Sequence, residues 1–429
     1  MRRISHKYEH SIAFYMKSAG NRVVITGMGI LAPNGNSLDA FWRNTLNAVS
    51  GIAEITRFPI DDFPVKIAGE VKNFNLERFV PTSVKVKPKR MGLHTQFGIA
   101  ATHMAIRHAG LSIGQLKDIE PIGVFLGVST SAIDVIEKGK EVLMNRGPSK
   151  VSPYIVGACQ PHAVVSEIVG TLGIATMRRT LASACPAGLE SIANALEYIS
   201  TGQGNIVICG GVDAPITPLT MASFHLSGMI RDHNRPPHEA SRPFDADRQG
   251  GLPAEGAGIF VVESLRNAQS RGALPLAEII GYGNFSDNFG AIPGEGLTDS
   301  MQISLDNAGI LPEDIDYINA HGPSDPIIDR METENIKKIF GNRAYRIPVS
   351  SIKGVTGNPL AAAGPMQVAA TVMGMNENRI PPTANYHTPD PDCDLYYVPN
   401  RPIKSTISRA MINLHGLGGG NSTLILKHL

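Results

Sequence analysis

The sequence predicts an α/β protein. Two observations carry that reading: short apolar runs end in glycine or polar turns, and segments of helical periodicity lie between them. Alternation of strand, loop, helix and strand is the signature of the class. At 429 residues and 42% hydrophobic content the chain can form one large layered domain or two ordinary ones, each with a sizeable core.

Taken in order, the chain begins with "MRRISHKYEHSIAFYMKSAG". His, Lys, Glu and Tyr interrupt any apolar stretch there, so no secretory signal is expected. Residues 1–20 read as an N-terminal extension, with Met16 as an alternative start. The expected buried strands are "RVVITGMG", "PIGVFLGV", "NIVICGG", "GIFVVE", "IDYINAHG", "RIPVSSIKG" and "RAMINLHG". Between them, "SLDAFWRNTLNAVS" reads as a helix capped by Ser37, and "TDSMQISLDNAG" as one stopped by Gly309. The longest loop-like stretch is 232–251, a pause near "SLRNAQSRGALP" marks a division into two halves, and no repeat is visible.

Composition excludes several function classes. With 39 basic and 38 acidic side chains, nucleic acid is not expected as a bulk electrostatic partner. Cys159, Cys185, Cys209 and Cys393 show no paired spacing, which predicts reduced thiols, a cytoplasmic setting and no metal site. No run of about 18 uncharged apolar residues occurs, so no membrane span is predicted. Gly27, Gly29 and Ala32 superficially fit a dinucleotide fingerprint. Pro33 and Asn34 postpone the following helix too far for that role, so the glycines read as a structural tight turn.

Four strand-end loops carry chemistry. In "TLASACPAGLESIANALEYISTGQ", Pro186 suits a first helical position and Leu189, Ile192, Leu196 and Ile199 share one face, which puts Cys185 at the N-cap of a buried helix. A thiol there meets free N–H groups and the positive end of the helix dipole, which favours the thiolate. The local pattern fits a small buried hydrophobe equally well. "YINAHGPSDP" places His321 just past a strand, as a candidate for acid/base work. "SSIKGVTGN" does the same for Lys353 and Asn358, and "NLHGLGGGNS" for His415. Open α/β sheets bind ligands beyond the carboxyl ends of their strands, so one convergent site is expected.

In their order and spacing "SACPAG", "NAHGPSDP", "SSIKGVTGN" and "NLHGLGGGN" resemble the β-ketoacyl-acyl carrier protein synthases, condensing enzymes of fatty acid and polyketide synthesis close to the class I/II type. The resemblance covers essentially everything after about residue 20. It implies a thiolase-like five-layer αβαβα fold made of two similar halves, 21–266 with the nucleophile and 267–429 with His321, Lys353 and Asn358. It also implies a homodimer and no cofactor beyond the phosphopantetheine arm of an acyl carrier protein.

Matched residue by residue, Cys185 falls on the nucleophile, His321 on the first histidine and Lys353 on the lysine that tunes the site. The backbone N–H groups of Cys185 and His415 fall on the oxyanion hole, and Lys85, Lys87, Lys89 and Arg90 on the carrier-docking region. His415 and Leu417 stand where two phenylalanines line and gate the acyl pocket, and Cys159 is placed at that pocket or the dimer interface, with core packing as its plainer role. Pro323 and Asp325 replace two threonines that hold the phosphopantetheine arm. Cys209 and Cys393 read as structural.

Two departures bear on the chemistry. Asn358 replaces the second histidine, and an amide donates a hydrogen bond but does not carry a proton. Gln367 replaces a glutamate that pairs with the lysine, so Lys353 is expected to have lost its partner charge. The leading reading is a condensing enzyme in which Cys185 takes an acyl chain and joins it to a malonyl-carrier extender. One alternative is a non-decarboxylating acyltransferase or atypical condensing enzyme. Another is a non-catalytic partner in a heterodimeric synthase, against which the retained Cys185 counts.

Overall fold

A computed structural model describes residues 20–119, 122–288 and 290–429. The extension expected over 1–20, with its alternative start at Met16, lies outside these except for Gly20.

Ten strands form the main sheet: β1 (Val23–Leu31), β2 (Ile122–Val128), β3 (Met177–Leu181), β4 (Ile206–Asp213), β5 (Gly256–Ser264), β6 (Ala277–Ser286), β7 (Tyr317–Asn319), β8 (Val349–Ser350), β9 (Arg409–Gly416) and β10 (Gly420–Lys427). All seven strands read from sequence are present; β3, β6 and β10 were not among them. Their order is β8-β7-β9-β10-β6-β1-β5-β4-β2-β3. The join between β6 and β1 rests on the pairs Val24–Glu278 and Ile25–Ala277 alone. On either side of it lie five strands in the same arrangement. β1, β5 and β4 are antiparallel in sequence, as are β6, β10 and β9, while β4-β2-β3 and β9-β7-β8 are parallel. The boundary expected at 266/267 falls inside the connecting helix Leu265–Ser270.

Helices complete the layers. On the five-strand set of β1 lie α1 (Leu93–His108) and α2 (Ala163–Leu172); between the two five-strand sets, called sheets below, lie α3 (Ala187–Ser200) and α6 (Ala363–Glu377); on the set of β6 lie α4 (Leu297–Ala308) and α5 (Pro326–Phe340). Leu189, Ile192, Leu196 and Ile199 of α3 join one buried cluster with Met366, Val368, Leu414 and Leu424, so the middle helices seal both sheets. The helix Leu38–Leu46 has Ser37 as its N-cap, with Ala40 N–H donating to the hydroxyl, and Gly309 ends α4 in the left-handed conformation.

One reading is corrected. Gly27 and Gly29 lie within β1 rather than in a turn. A Cβ at Gly27 would sit 2.3 Å from Ala105 O and one at Gly29 2.0 Å from Ala101 O, so the glycines exist to let α1 lie directly on the strand.

Candidate active site

The nucleophile turn lies between β3 and α3. Ala184 holds φ 59°, a conformation strained for a residue with a Cβ, and it throws the chain sharply from strand into helix. Pro186 is the N-cap of α3, so Cys185 stands one residue before the position expected. The helix reaches into the site because Gly188 and Gly211 pass against the Leu360–Ala362 turn: Cβ atoms there would lie 2.0 and 2.1 Å from Ala361 O.

Cys185 is buried, and burial pushes its thiol up to about 11, with the Asp213 carboxylate adding to the effect. The opposing pulls of the Leu417 N–H and of Lys353 are smaller, so burial acts against the thiolate that the helix dipole favours. The N–H bonded to the sulfur belongs to Leu417, whereas His415 lies inside β9 paired with Asn421. The N–H at the sulfur thus lies two residues beyond His415, at the hairpin tip.

Behind the cysteine, Asp213 accepts hydrogen bonds from Ser129 N (3.1 Å), Thr130 N (2.8 Å), Thr130 Oγ1 (2.8 Å) and Ala361 N (2.9 Å). It ties the loop after β2 to the turn that follows Asn358. Burial raises its carboxyl to about 6 despite these four donors.

His321 follows β7. Glu332 of α5 accepts from His321 N (2.9 Å), Gly322 N (2.8 Å) and Asn413 Nδ2 (3.2 Å), so a buried carboxylate fixes the loop from behind. Lys353 Nζ bonds His321 O and lies 3.4 Å from His321 Nδ1 and 3.1 Å from Gln367 Oε1. Burial and the adjacent ammonium hold His321 well below the usual imidazole range. With Nδ1 facing the ammonium, the neutral tautomer that fits this contact carries its N–H on Nε2. Burial lowers Lys353 to about 8, opposed first by the Glu332 carboxylate. Lys353 thus has no directly bonded carboxylate; Gln367 bonds it and also donates to Ala320 O (2.8 Å) and Asn413 O (3.1 Å), pinning two strand ends.

Asn358 is anchored through its backbone: its N–H donates to Leu252 O (2.8 Å) and its carbonyl accepts from Ala254 N (3.0 Å). Its side-chain oxygen is buried without a partner. Opposite it, His415 Nδ1 lies 2.9 Å from Asn421 Oδ1, and its ring stands edge-on to that of His321, centroids 6.0 Å apart.

Cys185, His321, Asn358, His415, Leu417, Pro323 and Asp325 all line one cavity of about 860 Å³. Lys353 lies behind it, under His321. Asp325 spends one carboxylate oxygen capping α5, accepting from Ile327 N (2.9 Å) and Ile328 N (3.0 Å). Cys159 does not line this cavity, nor is it core: it is only partly buried, its sulfur donating to Val156 O at 3.4 Å. Lys85, Lys87, Lys89 and Arg90 are exposed, and Arg90 stacks 4.2 Å over the Tyr154 ring. Cys209 and Cys393 are buried and free.

Sequence reasoning missed Asp213, Glu332, Asn421 and Asp287, although the first stands two residues past a strand run that was read and the third stands in a quoted motif. The missed signal was a polar residue at the end of an apolar run, where only a buried partner network satisfies it.

Residues 20–268 match the family "Beta-ketoacyl synthase, N-terminal domain" and residues 276–387 "Beta-ketoacyl synthase, C-terminal domain". The chain belongs to the β-ketoacyl synthases and is a condensing enzyme of that type, with the thiolase-like layered fold. It is 39% identical over 414 residues to 3-oxoacyl-[acyl-carrier-protein] synthase 2 of Staphylococcus aureus, covering 96% of this chain and 99% of that one. The protein of the same description from Synechocystis sp. is 38% identical over 410 residues, covering 95% and 98%. Among solved structures, the ishigamide ketosynthase/chain length factor superposes with a TM-score of 0.89 at 30% identity, over 95% of this chain and 99% of that one. A type II polyketide ketosynthase bound to its acyl-carrier protein and a hexaketide gives 0.86 at 28%, over 95% and 100%.

Proposed function

We propose that this enzyme takes an acyl chain from acyl carrier protein onto Cys185 and condenses it with a malonyl-carrier extender, as the description of its 39%-identical relative implies for that protein. The observation that carries the reading is the convergence of Cys185, His321 and Asn358 in a single cavity. The N–H groups of Cys185 and Leu417 are the oxyanion donors for acyl transfer, and His321 Nε2–H with the Asn358 amide holds the malonyl thioester carbonyl. Loss of carbon dioxide leaves an electron pair as an enolate between those two donors. The carbon attacks the acyl carbonyl, and the Cys185 sulfur leaves.

In this reading 21–266 and 267–429 are two related halves, supported by their repeated strand arrangement. Lys85, Lys87, Lys89 and Arg90 dock the acidic carrier, with Leu417, two-thirds exposed at the cavity mouth, as the gate. A homodimer is supported by the unpaired edge of β3 and by exposed Met144, Val156 and Met177 between β2 and that edge. Sedimentation at twice the 45.9 kDa chain mass checks it. The second reading, acyl transfer without decarboxylation, rests on Asn358 and on a lysine bonded by Gln367 instead of a carboxylate.

The first step is tested by intact-mass spectrometry after incubation with acyl-carrier proteins of several chain lengths. Wild type is expected to gain one acyl mass and Cys185→Ala none. Equal labelling of both proteins, or of neither, contradicts the reading.

A further inference from the structure

The two imidazoles of the cavity are wired with opposite polarity. Asn421 Nδ2 faces three acceptors, Asp287 Oδ1 (2.7 Å), Phe285 O (3.1 Å) and Gly419 O (3.1 Å), which fixes that end of the amide as the donor. The other end is therefore a carbonyl oxygen, and His415 Nδ1, 2.9 Å away, must donate to it. In the neutral ring this leaves the lone pair on Nε2. At His321 the order is reversed, since Nδ1 faces the Lys353 ammonium and Nε2 carries the hydrogen.

The charges follow the same division. Lys353 opposes a second positive charge on His321. Asp287 Oδ2 lies 3.9 Å from His415 Nδ1, and Gly294 N and Gly296 N, each at 2.8 Å, hold that carboxylate in place. A proton arriving at His415 is thus met by a fixed negative charge. Asn358 takes no proton, and one oxygen of Asp325 is taken by its helix cap. His415 lines the same cavity as Cys185. The loop also touches the nucleophile: a Cβ at Gly416 would lie 2.3 Å from Pro186 Cδ, and Leu417 N–H bonds the Cys185 sulfur.

We propose that His415, held by Asn421 and Asp287, is the proton carrier for Cys185 and supplies the imidazole function that Asn358 does not. The proposal rests on the acyl-transfer reading above. His415 Nε2 takes the proton from Sγ as the sulfur lone pair adds to the thioester carbonyl carbon. When the tetrahedral intermediate collapses, the carbon–sulfur bond to the phosphopantetheine arm breaks, and the departing sulfur receives that proton. Asn421 and Asp287 act as positioning residues. The other charged groups near the pair are Lys353 and Glu332 behind His321, and Asp213 behind Cys185.

The test is alkylation of Cys185 in the full chain by iodoacetamide across pH 6–11, followed by peptide mass, which needs no carrier substrate and so stands apart from the acyl-transfer reading. At pH 7 wild type is expected to react about 10²-fold faster than His415→Phe or His415→Ala, the gap closing near the pH where the unassisted thiol ionises. Added imidazole is expected to restore His415→Ala, which a merely structural role would not produce. Asn421→Ala is expected to shift the profile with a smaller loss. Equal rates for wild type and His415→Phe at pH 7, or no rescue of a folded His415→Ala, overturns the proposal.

Discussion

An amide whose oxygen is buried without a partner is costly unless a ligand completes its hydrogen bonds, and Asn358 is in that state at the cavity wall. Two hydrogen bonds hold its backbone, and Nδ2 is the only atom of the amide that donates. Asn358→Ala is expected to lower malonyl decarboxylation about 10²-fold, the cost of one lost oxyanion donor, while Asn358→His stays within about tenfold of wild type. The pH profile of the same assay on pre-acylated enzyme carries the signature of Lys353. Its ammonium helps hold the enolate charge and is lost as pH rises through about 8, so the rate is expected to fall above that value. A rate still climbing at pH 9 contradicts this role. Cys185, His321 and Asn358 were legible because each stands beside small residues at a strand end. Asp287 and Asn421 were not, because their meaning lies in a contact between segments over a hundred residues apart.

Among the elements, the α3 start decides whether the thiol meets the rest of the site. Its approach to the Leu360–Ala362 turn depends on Gly188, whose absent Cβ leaves room for Ala361 O. Because the obstacle is backbone, Gly188→Ala is expected to destabilise by at least about 1–3 kcal/mol and to displace Cys185 from the Leu417 amide. A lowered unfolding temperature together with altered Cys185 alkylation checks this; an unchanged melting curve contradicts it. Strands buried on both faces were readable as apolar runs. β6 was not, because Gly281 and Gly283 interrupt it where α4 lies against the sheet, with Ser304 O and Ser300 O at 2.4 and 2.0 Å from their would-be Cβ atoms. β3 was hidden by Arg178 and Arg179 on a half-exposed edge, and β10 by the polar start Asn421-Ser422-Thr423 that serves the site.

For the whole molecule, the repeated arrangement β3-β2-β4-β5-β1 and β8-β7-β9-β10-β6 places both sets of parallel strand ends around one cavity, with α3 and α6 shared between the sheets. No repeat is visible in the sequence, because the layers demand only apolar patterning and close-packing glycines, which many unrelated residues satisfy. The chemistry is divided in the same way: the thiol comes from the first half, and both imidazoles, the lysine and the amide from the second. This assembly is expected to condense with asparagine in place of the second histidine. The most direct measurement adds malonyl-carrier protein to the Cys185-acylated enzyme and follows carbon dioxide together with the mass of the carrier-bound product. Carbon dioxide in step with a 3-oxoacyl product two carbons longer than the starting chain is the predicted result, whereas an acyl-enzyme that persists or only hydrolyses, with no carbon dioxide, contradicts it.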